Sequence, residues 1–587
     1  MHRSNGFSVD NLFNLGADST PKRSRPNGSA SSSNRPSHLS SSPLHAQHTP
    51  NGRPTAGPSR LNGASPTSSL ASPTTPATPA APAVPFSKRE GKLTLQESLN
   101  DHLPLPTSAE LSGTKPRIAL SSTKNPADYD YRIAYERAME RSEVLDTMID
   151  EAAQIFREYY GFDEFADPGV QSQDEVIVVG RLCAESDNAK MSETSSWLES
   201  SRSLGSGHRV QLRFEPTCVV KGGGHGGGGM GLFPGCMVAL RGINGGGTVF
   251  AVNELIMMPP IDPHYTAPSE LLIHQYGDGP KQLNGSPMSV IVSAGPYTVD
   301  SDLEYEPLDE FLGLVKEEKP DVLIMLGPFI DAAHPLIAAG DVDEFPTELF
   351  RSRISTKLVS VYSASPRTQI LLIPHGRDLT NAHAAYPQAP FRKDDLGLPK
   401  VVRLLPNPTS FAINEVAFGI SSVDVLWSLK MQEFYKRCPD GDPVPENYTP
   451  DPQAKDIITR ACRHLLRQRS FYPIFPSPPG TKRLDPLNLD ITHFDLVKMQ
   501  TGPDIIIAPS VQKAFTRTVD SVTIINPSYL TKDGSQAGTF ARLTIHPLDK
   551  DNLEELASNG MVDSGGEADE PVEHRLWERC RVDIIKV

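Results

Sequence analysis

The sequence predicts a multi-domain α/β plus β protein: a disordered amino-terminal tract, a small closed β-structure, and a layered α/β domain. Three observations carry this prediction. Residues 1–87 are rich in Ser, Pro, Thr, Ala and Asn and poor in aliphatic side chains, a composition that buries too little apolar area to offset chain entropy. Residues 174–260 hold short apolar runs separated by Gly-rich turns, the pattern of a small all-β unit. From Ser289 onward, unbroken Val/Ile/Leu runs alternate with amphipathic stretches, as strands covered on both faces by helices require. The chain has 587 residues, too many for one ordinary domain.

The first 127 residues read as a linker carrying two apolar islands. Phe7, Val9, Leu12, Phe13 and Leu15 form one; Leu93, Leu95, Leu99 and Leu103, spaced for a helical turn or two, form the other. Islands of this kind suit docking peptides that fold on a partner. Ser-Pro and Thr-Pro steps make Thr20, Ser42, Thr49, Ser65, Ser72, Thr75 and Thr78 candidate phosphorylation sites. Thr20-Pro21-Lys22-Arg23 matches best, because cyclin-dependent kinases prefer a basic residue after the proline. Lys22-Arg23-Ser24-Arg25 is a short candidate nuclear localisation cluster.

Residues 128–165 are expected to hold an amphipathic helix. Leu145, Met148, Ile149, Ala152, Ile155, Phe156 and Tyr159 recur at three- and four-residue steps, and Gly161 ends the run. The strands of residues 174–260 begin at Val176-Ile177-Val178-Val179-Gly180 and continue at Val210–Phe214, Met237–Arg241 and Val249–Val252. Four or five such strands make an OB-fold barrel the leading candidate. The glycine run from Lys221 to Gly231 reads as a flexible loop, since no Gly-Lys-Ser/Thr follows it. Strand spacing makes most of Trp197, Phe214, Phe233 and Phe250 core residues, leaving few aromatics to stack on single-stranded DNA.

Residues 288–587 form the α/β domain. Its buried strands are Val290–Val292, Val322–Leu326, Ile370–Ile373 and Ile505–Ile507, with helices expected at 307–319, 346–363, 422–436 and 453–469. Phe540–Ile545 alternates like a half-exposed strand, and Val582–Ile585 is a final short one.

Charge and cysteine usage narrow the function. A net charge of −15 disfavours a sequence-independent grip on phosphate backbones. Cys183, Cys218, Cys236, Cys438, Cys462 and Cys580 never form C-x-x-C, which argues against a zinc ribbon or a disulfide framework and suits a reducing compartment. No apolar run approaches the ~20 residues that span a bilayer, and no signal-peptide core opens the chain. A soluble intracellular protein is expected.

In open α/β sheets chemistry sits where strands end. The ends here read Ser293-Ala294-Gly295-Pro296-Tyr297, Gly327-Pro328-Phe329-Ile330-Asp331, Pro374-His375-Gly376-Arg377-Asp378, Ala508-Pro509-Ser510 and Asn526-Pro527-Ser528. Their order resembles the calcineurin-like metallophosphoesterases, whose D-x-H, G-D-x-x-D, G-N-H-D/E and G-H-x-H loops hold two metal ions. The resemblance puts Gly295 and Tyr297 at D-x-H, and Pro328 at the metal-bridging aspartate. It puts Gly376 and Arg377 at the asparagine and histidine of the third motif, and Pro509 and Ser510 at G-H-x-H. Asp331 and Asp378 remain, at positions the resemblance makes structural. An inactivated phosphoesterase sandwich with no metal or other cofactor is therefore expected. His375, His493 and His546 read as hydrogen-bonded loop residues, and no G-x-S-x-G, H-E-x-x-H or Walker motif supplies another chemistry.

A barrel followed by a ligand-stripped phosphoesterase domain resembles the B subunits of the eukaryotic replicative DNA polymerases, most of all the B-subunit family of the polymerase α–primase complex. Ser142–Asp146, Leu232–Gly235, Ala239–Asn244, Gly327–Asp331, Pro374–Asp378 and Asn526–Lys532 through Gly538–Ala541 carry the resemblance. It implies a non-catalytic nuclear scaffold for the start of DNA replication and primer synthesis. It implies as partners the catalytic subunit, through its zinc-containing C-terminal domain, and the primase subunits within the complex, with DNA contacted mainly indirectly. Such chains often open with a small helical domain; here low-complexity sequence comes almost at once, so that domain is expected to be absent, diverged or lost. A sister δ or ε subunit, a divergent metallophosphodiesterase and a single-stranded DNA binder are the alternatives.

Overall fold

The computed structural model describes residues Phe7–Ser8, 86, 89–107, 113–186, 189–223, 228–443, 455–481, 485–532, 536–563 and 570–587. Thr20, Ser42, Thr49, Ser65, Ser72, Thr75 and Thr78, the basic cluster at 22–25 and the apolar residues Val9, Leu12, Phe13 and Leu15 lie outside the described residues.

The α/β domain is built on two seven-stranded sheets. The first runs Arg403–Leu404, Gln369–Ile373, Val322–Leu326, Met288–Ala294, Thr539–Ile545, Cys580–Lys586, Leu95–Leu99. Its first four strands are parallel and the rest antiparallel. The second runs Phe7–Ser8, Leu120–Ser122, Thr409–Ile413, Val416–Ile420, Ile505–Ile507, Val522–Asn526, Phe515–Val519.

Alternation along each strand explains the unbroken apolar runs. Val290, Val292, Ala294, Ile324, Leu371 and Ile373 share one buried cluster with Ile413, Phe418, Ile505, Ile507 and Ile525 of the second sheet. Their neighbours Ile291, Leu323, Met325, Ile370 and Leu372 instead join Phe311, Leu312 and Val315 of the helix Glu306–Glu318 and Leu358 and Val361 of Thr356–Ala364. Each strand therefore spends one face on the other sheet and one on helices.

Before this domain, Val176–Ala184, Ser196–Glu199, Arg209–Lys221, Val249–Ile256 and Met237–Ile243 close into a barrel in that order. The strands Arg209–Lys221 and Val249–Ile256 run parallel and every other pair antiparallel. This is the five-stranded Greek-key barrel of the OB fold. Val178, Leu182, Val238, Leu240, Phe250 and Val252 belong to its core. Val179, Met237, Ala239 and Ile256, one residue out of phase, pack with Ile149, Ala152, Ala153 and Phe156 of the helix Ala138–Tyr160. Gly161, at φ 68°, ends that helix and donates its N–H to the Arg157 carbonyl.

Several expectations change. Leu95–Leu99 is not a helical turn within a linker but an edge strand on Cys580–Lys586, and Leu120–Ser122 joins the second sheet. Order therefore begins well before residue 128; leucines spaced for a helix lose to pairing with an open sheet edge. Arg117 reinforces the attachment through a two-pronged pair with buried Asp321, at 2.8 and 2.9 Å. The long helix starts at Ala138 rather than 128, because Tyr129 and Tyr131 are tied to the α/β domain through Leu496 O and Pro387 O. Part of the glycine loop is ordered: Gly229–Leu232 pairs with Phe434–Arg437. That second strand also shortens the helix expected at 422–436 to Val425–Gln432. Thr539–Ile545 is covered on both faces rather than half-exposed, with Phe540 on the helical side and Ala541, Leu543 and Ile545 between the sheets.

The barrel core continues into the α/β domain without a break. Leu232, Phe233 and Cys236 connect it to Leu426 and Leu429, to Ala461, Cys462 and Leu465 on the helix Ile457–Arg467, and to Ile506 and Ile524. Gln468 brackets Met237 with both amide atoms, accepting from its N–H at 2.7 Å and donating to its carbonyl at 3.1 Å. Arg467 donates to Gly222 O and Met258 O and pairs with Asp520 at 3.0 Å. Gly235, at φ 99°, lies so close to the opposing backbone that a Cβ would stand 2.4 Å from Phe475 N and 2.5 Å from Pro473 O. We expect Gly235→Ala to lower stability in chemical denaturation by about 2–4 kcal/mol, since neither backbone can give way. An effect within about 0.5 kcal/mol, as at an ordinary surface position, would refute this reading of the junction.

Candidate functional site

The strands Met288–Ala294, Val322–Leu326 and Gln369–Ile373 are parallel and in register, so their carboxyl ends bring Gly295, Tyr297, Pro328, Asp331, His375, Gly376, Arg377 and Asp378 together. The loops are packed closely enough to need glycine. A Cβ on Gly295 would lie 2.0 Å from Pro328 O, and one on Gly327 would lie 2.1 Å from Asp378 Oδ2.

Asp378 holds these loops in place. Its Oδ1 accepts the N–H groups of Phe329 and Ile330, and its Oδ2 accepts the N–H of His375 at 2.8 Å. Backbone pairing of Asp331 with Asp378 completes the join. Burial pushes the Asp378 carboxyl up to about 7, against the pull of the three N–H donors. Tyr297 is fully buried, donates to Leu326 O at 2.8 Å and stacks on Phe329. An aromatic plug thus occupies one strand end.

Arg377 is the charged centre. Its guanidinium lies 3.1 Å from Asp331 and 3.2 Å from Asp485. Burial raises the Asp331 carboxyl while Arg377 opposes the rise. His375 is pushed down to about 3, by desolvation and by Arg377; its Nδ1 accepts the Arg377 N–H at 3.1 Å. The neutral ring has committed that lone pair to the backbone. Gly376 is exposed, and a Cβ there would meet nothing within 4 Å.

Pro509 and Ser510 follow Ile505–Ile507 in the second sheet. Buried Ser510 donates its N–H to Asn526 Oδ1 at 2.8 Å, and its Oγ accepts the N–H of Gln512. They adjoin a carboxylate that sequence reasoning missed. Asp424 caps the helix Val425–Gln432 through Trp427 N–H, accepts Val511 N–H at 2.8 Å, and is pushed up to about 6 by burial. Tyr529, with its hydroxyl 3.4 Å from Asp424, sits between this group and Arg377. The available signal was Ser421-Ser422-Val423-Asp424 after an apolar run, a helix-start pattern. His493 and His546 lie elsewhere: one stacks on Tyr131, the other bonds to Pro104 O.

Two-metal chemistry needs converging carboxylate, imidazole and amide ligands. Among the described residues no group of three or more His, Cys, Asp or Glu side chains could hold a metal ion. The carboxylates and imidazole at these loops are spent inward, Asp378 on three N–H groups, Asp331 on Arg377 and His375 on the Arg377 N–H, and the remaining positions are proline, glycine, tyrosine and serine, so the set does not fit a metal pair. What the arrangement does is lock five loops to one another.

Residues 290–517 match the family model for the B subunits of DNA polymerases alpha and epsilon, and residues 142–258 match the model for the OB domain of the DNA polymerase alpha B subunit. The chain is 32% identical over 500 residues to the B subunit of DNA polymerase alpha from Schizosaccharomyces pombe, covering 84% of this chain and 78% of that protein. It is 32% identical over 535 residues to the one from Saccharomyces cerevisiae, covering 82% and 70%. To the one from Mus musculus it is 26% identical over 422 residues, covering 72% and 63%.

Asp378→Asn leaves one acceptor oxygen for three N–H groups and should destabilise the chain by about 1–3 kcal/mol. The folded-state value of Asp378 lies above the ordinary carboxylate value. Its contribution to stability is therefore full below that ordinary value and is lost as pH rises through about 7. The gap between wild type and Asp378→Asn in denaturation should narrow from pH 5 to pH 8, and a gap that widens would contradict the assignment.

Proposed function

We propose, from the premise that this chain belongs to the family of DNA polymerase alpha B subunits, that it is a non-catalytic scaffold within the polymerase α–primase complex. Membership of that family makes the chain an accessory subunit. The finer reading is that it tethers the catalytic subunit, through that subunit's zinc-containing C-terminal domain, and works with the primase subunits in the nucleus during initiation of replication.

The observation that carries this is Arg377. A guanidinium stands where the resemblance places the histidine of the third motif, is spent on Asp331 and Asp485, and cannot activate a bound water as a metal ion does. The same proposal reads residues 288–587 as an inactivated calcineurin-like phosphoesterase sandwich. The order of the strand-end loops and the paired sheets flanked by helices support it. Residues 174–260 are the barrel domain that would share the partner surface. Phe214, Phe233 and Phe250 are buried and no aromatic of the described barrel is exposed, which favours protein contact over base stacking. A rigid body of this kind suits the large interfaces of permanent complexes, often above ~2,000 Å².

Affinity capture of the tagged full chain from native extract should recover the catalytic subunit of polymerase α together with both primase subunits. Recovery of a δ or ε catalytic subunit would move the chain to a sister complex, and recovery of none would defeat the proposal. The purified chain should show no chelator-sensitive hydrolysis of a chromogenic phosphodiester in Mn²⁺.

A further inference from the structure

The first turns of the helix Ala138–Tyr160 stand over a second feature, remote from the strand-end loops. Arg141, Ser142, Leu145 and Asp146 of the helix, with Arg181 and Glu199 of the barrel, line a cavity of about 190 Å³. Arg181 is only 2% exposed. Its Nη2 donates to Glu199 at 2.6 Å, while Nη1 has no hydrogen-bond partner. A guanidinium so enclosed is costly unless its donors are satisfied.

Arg141 shares the setting. Both guanidinium groups lie against the ring of Phe475, at 5.5 Å for Arg141 and 4.9 Å for Arg181. No carboxylate among the described residues pairs with exposed Arg141. The acids nearby are already engaged: Asp146 with Arg202, and Glu199 with both Arg181 and Arg209. Both wall carboxylates are thus committed to other donors, which leaves Arg141 and the free Nη1 of Arg181 without an internal carboxylate.

We propose that this cavity is a carboxylate-binding pocket that receives an aspartate or glutamate side chain from an acidic segment of a protein partner. The planar fork of Arg181 matches a carboxylate in two-point contact, and the volume suits one side chain rather than a cofactor, which occupies ~300 Å³ or more. Asp146 and Glu199 in the same walls oppose a polyanionic phosphate backbone more strongly than a single carboxylate. Tyr135 and Met139, 61% and 69% exposed near the start of the same helix, offer the apolar contact that anchors a protein segment.

The test uses the full chain and a fluorescein-labelled peptide of Glu, Asp and Leu residues, read by polarisation at low salt. Saturable binding is expected, weakened roughly tenfold or more by Arg141→Glu and by Arg181→Met. Glu199→Gln releases Arg181 from its internal partner and should tighten binding several-fold, which a merely structural Glu199 would not do. Arg141 is exposed, so its variant keeps the test decisive should Arg181→Met fail to fold. Absence of saturable binding, or binding unchanged in Arg141→Glu, overturns the proposal. So does a labelled single-stranded oligonucleotide that displaces the peptide and is lost in the same variants, because the pocket would then serve phosphodiesters.

Discussion

Strands that are apolar on both faces cannot stop at one covering layer, and this need for double coverage organises the whole molecule. Met288–Ala294 and its parallel neighbours require helices on one side and a second sheet on the other. The second sheet has the same need, since Ile506 and Ile524 point away from their neighbours Ile505, Ile507 and Ile525 into the cluster that contains the barrel core. The barrel strand Met237–Ile243 is apolar over its first four residues for the same reason: Val238 and Leu240 go inward, Met237 and Ala239 under the long helix. Barrel and sandwich are consequently not beads on a string. They share one apolar interior, with Gln468, Arg467 and Gly235 closing the polar and steric gaps at the join.

The strand-end loops are held to one another by side chains that hydrogen-bond inward. Parallel strands in register still deliver their loops to one place. Asp378 spends its carboxylate on backbone N–H groups, Tyr297 fills space, and Arg377 neutralises acids that would otherwise repel one another.

Much of this was legible in the sequence, and the failures have physical causes. The runs at 290–292, 322–326, 370–373 and 505–507 are buried on both faces, so pattern alone identifies them. Gly161 ends its helix because a positive φ was needed there. Leu95–Leu99 defies local pattern because its sequence, Leu-Gln-Glu-Ser-Leu, carries no strand signal of its own; its pairing lies far along the chain, Leu95 with Ile585 and Leu99 with Val582. Asp424 is hard to find because the strand before it, Val416–Ile420, is interrupted by Gly419, where a Cβ would meet the Phe471 ring at 3.0 Å. Local pattern reports burial well and distant pairing poorly.

The edge strand Leu95–Leu99 carries a temporal consequence. Its partner Cys580–Lys586 also covers Thr539–Ile545, which in turn flanks the central Met288–Ala294. During synthesis the barrel can be finished while this side of the sheet still lacks its outer strands, because chains emerge amino end first. Until residues 580–586 leave the ribosome, a hydrophobic strand edge stands open, the kind of surface that invites mispairing. Closing the sheet with a strand from so early in the chain makes the emergence of residues 580–586 the event that seals this side of the sheet.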